Sequence, residues 1–101
     1  MAGHVANIDK LNGENYAAWC IQLKSLLISF DLYHTLLGQR PEGDKEAKFL
    51  VDDSKTLATV TLSVKTTELI HIKSCTTAKA VWDVLSSLFQ ANTASRKVNL
   101  F

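Results

Sequence analysis

With 101 residues, 47% of them hydrophobic and 21% charged, the chain is long enough to bury one core and too short for two domains. Eleven basic residues against ten acidic ones leave a net charge of +1, and the basic residues cluster no further than the Arg96-Lys97 pair, which argues against holding nucleic acid by its phosphates. No run of about 18 apolar residues and no apolar leader within "MAGHVANIDK" points to a membrane, so the expectation is a cytoplasmic chain with Cys20 and Cys75 reduced.

Residues 1–10 read as an extended or mobile lead-in. Asn12-Gly13 marks a turn, and Asn15 is a natural N-cap whose side-chain oxygen could accept an orphan N–H. The first helix is predicted from Tyr16 to Phe30. Tyr16, Trp19, Cys20, Leu23, Leu26, Leu27 and Phe30 fall at i, i+3, i+4, i+7, i+10, i+11 and i+14, one face of an α-helix, and read as a wall of the core. Glu14, Gln22, Lys24 and Ser25 are too poor in cations for a membrane-surface face.

Asp31 is expected to cap a short second helix over "LYHTLL", with Gly38 ending it in the left-handed conformation. "GQRPEGD" is the clearest loop. A third helix is predicted from Lys45 to Leu62. Ala47, Leu50, Val51, Ser54, Leu57, Ala58, Thr61 and Leu62 form its apolar stripe, whereas Asp52 and Asp53 read as part of a solvated face. The β-branched run "TVTLSV" weakens its end and makes a strand the local competitor. One or two helical turns follow over Thr66 to Ile72.

Thr77 is a good N-cap for the next helix, whose Ala78, Val81, Trp82, Leu85, Leu88 and Phe89 share a face. The pattern restarts at Ala94, Val98 and Phe101, so the chain is expected to stop inside a final helix from about 94, as a fragment would. The predicted class is all-α: a compact bundle of five or six short helices over residues 1–101. Trp19 and Trp82 should dominate its core, because each buried aromatic removes about 150–250 Å² from water.

The chemistry-bearing motifs are missing. There is no G-x-S-x-G, G-x-x-x-x-G-K-[ST], G-x-G-x-x-G or H-E-x-x-H. His71 and Cys75, four residues apart, would make at most half of a zinc site that needs about four ligands. No enzyme and no cofactor are expected.

"LNGENYAAW" (11–19) resembles the L-x-G-x-N-Y-x-x-W opening of the Gag polyprotein of copia-type LTR retrotransposons. "KTLATVTLSV" (55–64) followed by "LIHIKSCTTAKAVWDVLSSLF" (69–89) resembles that family's next signature, a small-aliphatic helix leading to T-A-K-E-x-W-D-x-L-x-x-x-F/Y. The matching positions are Leu11, Gly13, Asn15, Tyr16 and Trp19, then Thr77, Ala78, Lys79, Trp82, Asp83, Leu85 and Phe89. Ala80 stands where the family often has Glu and forgoes a capping box. Phe49 replaces a frequent Trp.

The resemblance implies a fold like that of a retroviral capsid N-terminal domain and a structural role. Copies would self-associate into virus-like particles around the element's RNA in the cytoplasm, with no direct nucleic-acid contact through this segment. The family's C-x2-C-x4-H-x4-C zinc knuckle is absent, which fits a fragment whose RNA-binding part lies elsewhere. Fold positions would be Tyr16, Trp19, Leu23, Leu27, Phe30, Leu57, Trp82, Leu85 and Phe89, with Gly13, Asn15 and Thr77 at turns and caps. Subunit contacts would fall on Gln22, Ser25 and Ser29 of the first helix and Asp52 and Lys55 of the third. The alternative is a domesticated Gag-like module that binds a partner peptide in an apolar groove.

Overall fold

The computed structural model describes residues 8–90. The readings of residues 1–7 as lead-in and of a final helix from 94 lie outside the described residues. Three α-helices are present among the described residues: α1 (Tyr16–Ser29), α2 (Glu46–Leu62) and α3 (Ala78–Leu85). Short 3-10 turns cover Tyr33–Leu36 and Gly43–Lys45, a six-residue 3-10 helix covers Thr66–His71, and α3 runs directly into a π-turn, Ser86–Gln90. The class is all-α. Among the described residues it rests on four helical segments longer than one turn, not five or six, because "LYHTLL" forms only a single 3-10 turn.

The start of α1 is fixed by a local exchange between two asparagines. Asn12 Oδ1 accepts the Glu14 and Asn15 backbone N–H groups at 2.9 and 3.2 Å, while Asn15 Oδ1 accepts the Asn12 N–H at 3.0 Å. Asn15 holds the N-cap position, yet its side chain makes no bond to the helix, which corrects the expected cap. The reciprocal pair satisfies the same kind of orphan donors as a capping box, one turn earlier.

At the other end of α1, Asp31 sits in the left-handed region at φ 60°. The Leu32 N–H donates to the Leu27 carbonyl at 2.8 Å and the Asp31 N–H to the Ile28 carbonyl at 3.0 Å. These are the two bonds of a Schellman ending. Asp31 therefore closes the first helix instead of capping the second. Gly38 does adopt the left-handed conformation, at φ 83°.

Helix α2 continues through its β-branched end. The Thr56, Thr59 and Ser63 hydroxyls donate to carbonyls four residues back at 2.7–3.0 Å, which satisfies the polar groups that would otherwise favour a turn. The end of α2 also anchors the lead-in. Leu11 pairs with Val64 in an isolated parallel bridge, its N–H donating to the Ser63 carbonyl at 2.8 Å and its carbonyl accepting from the Lys65 N–H at 3.1 Å. The buried Trp19 indole N–H donates to the same Ser63 carbonyl at 2.9 Å.

The core joins Leu11, Trp19, Leu23 and Leu27 to Val60, Val64, Val81, Leu85 and Phe89, all buried. Trp82 and Leu57 are partly buried against it. Trp19 stacks on Trp82 with ring centroids 5.7 Å apart, and Tyr16 stacks on both Trp19 and Phe89 at 6.1 Å. Gly13 lies beneath this stack at φ 93°, where a Cβ would come within 3.3 Å of the Phe89 ring. Phe30 is the exception to the predicted stripe. As the C-cap of α1 it is 42% exposed and lies outside the core.

Candidate interaction surfaces

Helix α2 faces the opposite way from its apolar pattern. Its inner face carries Asp52, Asp53, Thr56 and Val60, while Ala47, Leu50, Val51, Ser54, Ala58 and Leu62 are exposed. Asp52, only 5% exposed, is thus neither a solvated carboxylate nor a subunit contact, and both readings are corrected.

Burying two adjacent carboxylates demands partners for each. Asp52 Oδ2 accepts from Lys48 Nζ at 2.6 Å and pairs with His34 Nε2 at 3.0 Å. The Lys48 ammonium holds the Asp52 carboxyl below the usual carboxylate range, against burial, and His34 adds to the effect. Asp52 in turn raises Lys48. Asp53 faces α3 instead and accepts the Ala78 N–H at 3.3 and 3.4 Å. Between them, Thr35 Oγ1 lies 2.9 Å from Thr56 Oγ1 and 2.8 Å from the Leu32 carbonyl, its one proton serving either acceptor, while Thr56 donates to the Asp52 carbonyl. This polar seam locks the 3-10 turn Tyr33–Leu36 and the start of α3 onto α2.

With its inner face committed, α2 turns an apolar ridge outward, led by Leu50, Val51 (54% exposed) and Leu62. Helix α1 is apolar on two faces as well: Ile21 (68% exposed) and Ile28 lie opposite Trp19, Leu23 and Leu27. A helix apolar all round normally has both sides covered, so the uncovered sides are candidate contacts. The predicted contact residues Gln22, Ser25, Ser29 and Lys55 are exposed. The Ser25 and Ser29 hydroxyls, however, donate to the Ile21 and Leu26 carbonyls of their own helix. Sequence reasoning missed Ile21 and Ile28, although their seven-residue spacing opposite the Trp19 stripe was a legible signal.

The described surface also has concave features. A shallow groove of about 550 Å³ runs between the 3-10 helix Thr66–His71 and α3, lined by His71, Asp83, Val84, Ser87 and Leu88. A smaller cleft of about 160 Å³ lies where Phe49 and Leu50 meet Thr35 and Thr77, too small for more than a side chain or two. Beside the aromatic stack, burial and a hydrogen bond to Cys20 push the Tyr16 hydroxyl up to about 12, and burial raises the Cys20 thiol. Among the described residues no group of three His, Cys, Asp or Glu is placed to hold a metal ion, and no helix is long and apolar enough to cross a membrane. His71 pairs with Glu68 at 3.4 Å rather than with Cys75.

A family model described as the gag-polypeptide of LTR copia-type matches residues 23–101. No curated protein and no solved structure matches the chain.

Proposed function

Because the chain belongs to the copia-type LTR Gag family, whose polypeptides are structural rather than enzymatic, we propose that it is a capsid-building segment that self-associates in virus-like particles. The observation that carries this reading is the outward apolar character of α1 and α2, with Ile21, Ile28, Leu50, Val51 and Leu62 all exposed. Contiguous exposed apolar faces mark association surfaces. Faces this small give weak single contacts, and a shell gains its strength from repeating them.

In this reading the particle is cytoplasmic and encloses the element's RNA, which other parts of the polyprotein hold. Light scattering across protein concentration and salt, with negative-stain imaging of large species, tests the proposal. Mass that grows with concentration supports it, and a constant monomer mass refutes it. A second reading, a partner peptide held by the chain, is favoured only by the open groove beside Val84 and Leu88. It predicts a monomer that binds an apolar peptide in a saturable manner.

A further inference from the structure

We propose that Asn12 is a covalent modification site, where the side-chain amide is lost by spontaneous deamidation through Gly13, and that the fold accepts the aspartate product and rejects the isoaspartate one. This is independent of the self-association reading.

Of the five asparagines in the chain, Asn12 alone precedes a glycine; Asn7, Asn15, Asn92 and Asn99 precede Ile8, Tyr16, Thr93 and Leu100. In the reaction the Gly13 backbone nitrogen attacks Asn12 Cγ and closes a five-membered succinimide. The Asn12 amide nitrogen departs with the Gly13 N–H proton as ammonia. A side chain on the following residue crowds this closure, and glycine has none. Water then opens the ring at one of its two carbonyls. Cleavage of the Cγ–N bond gives aspartate, and cleavage at the main-chain carbonyl gives isoaspartate.

The fold presents the site to water, since Asn12 is exposed. Its Oδ1 already accepts the Glu14 and Asn15 N–H groups at 2.9 and 3.2 Å, donors aimed at the oxygen that takes up negative charge as Cγ is attacked.

The two products fare differently. An aspartate at this position keeps its oxygen on the same two N–H groups. It also brings an anion to the positive end of α1, whose first turn holds no acidic residue. Isoaspartate routes the main chain through the side chain and adds one carbon between Leu11 and Gly13. Both neighbours are fixed. Leu11 is held by the Ser63 carbonyl at 2.8 Å and the Lys65 N–H at 3.1 Å. Gly13 lies so close to the Phe89 ring that a Cβ would come within 3.3 Å of it. Asn15 Nδ2 ties the helix start back to the Lys10 carbonyl at 3.1 Å. The longer link cannot keep all of these contacts, so isoaspartate opens the start of α1.

Ageing the folded chain at mildly alkaline pH, followed by peptide mapping with fragmentation that separates isoaspartate from aspartate, tests this. Acid should appear at residue 12 ahead of the other asparagines. The isoaspartate fraction should unfold at lower urea than fresh chain, and Asn12→Asp at the same urea or higher. An intact residue 12 in the folded chain overturns the site, whether or not urea-unfolded chain converts there. An isoaspartate fraction as stable as fresh chain, or an Asn12→Asp chain less stable than it, overturns the selection between products.

Discussion

The Asp53 carboxylate accepts the Ala78 backbone N–H from 25 residues away, at 3.3 and 3.4 Å, at the first turn of α3. Thr77 Oγ1 accepts the Ala80 N–H of the same turn at 3.1 Å. A capping box would aim a carboxylate at the Thr77 N–H from the position where Ala80 stands; here α2 delivers one to the next N–H, that of Ala78, through tertiary packing. Removing it leaves a buried donor and loses an anion at the positive end of a helix. Asp53→Ala is expected to cost about 1–3 kcal/mol and Thr77→Ala about 1 kcal/mol, read from urea midpoints. An unchanged urea midpoint for Asp53→Ala would count against this role.

The pH dependence of stability should trace to Asp52. Its carboxyl is held below the ordinary value of about 3.9 in the folded state, chiefly by Lys48, so the folded state binds fewer protons than the unfolded one in that range. The contribution is therefore complete above the unfolded value and is lost as pH falls through the folded one. Lys48→Ala should move acid unfolding to higher pH, and Asp52→Asn should flatten the acid limb while lowering stability at neutral pH. Denaturation curves collected from neutral pH downward check both. Parallel acid limbs for wild type and Asp52→Asn would exclude the assignment.

Asp31 holds the left-handed position of the Schellman ending with a side chain, at φ 60°. A left-handed residue costs roughly 1–2 kcal/mol for a typical side chain, less for Asp, and almost nothing for Gly. Asp31→Gly should hold or raise the thermal midpoint, whereas Asp31→Val should lower stability by about 1–2 kcal/mol. Equal midpoints for the two variants would contradict the geometry.

The sense in which α2 faces is testable by truncation. Leu27→Ala, in the core, should cost about 2–5 kcal/mol. Val51→Ala on the outer ridge should stay within about 0.5 kcal/mol. A loss at Val51 comparable to that at Leu27 would mean the ridge is core after all.

These residues also mark how far the sequence could be read. The length and inward face of α1 follow from the Trp19, Leu23 and Leu27 spacing, and α2 is a helix from its start as the pattern predicts. Periodicity locates two clusters on α2 but cannot say which one faces inward. The rule that apolar faces turn in fails there because Asp52, Asp53 and Thr56 find partners on other segments, His34, Ala78 and Thr35, with Lys48 one turn back on α2 adding to Asp52. The partners on other segments lie 18 to 25 residues away in the chain, beyond any local pattern. Leu11 was legible as a motif position only. Its burial depends on a single bridge to Val64, which leaves no periodic trace.

The most direct test of the central claim, that the outward apolar faces are contacts between copies, is a dilution series followed by methyl nuclear magnetic resonance. Signals of Ile21, Ile28, Leu50, Val51 and Leu62 should move with concentration, while those of Leu23, Leu27 and Val60 stay fixed. Concentration-independent spectra, or shifts confined to the core methyls, would contradict it.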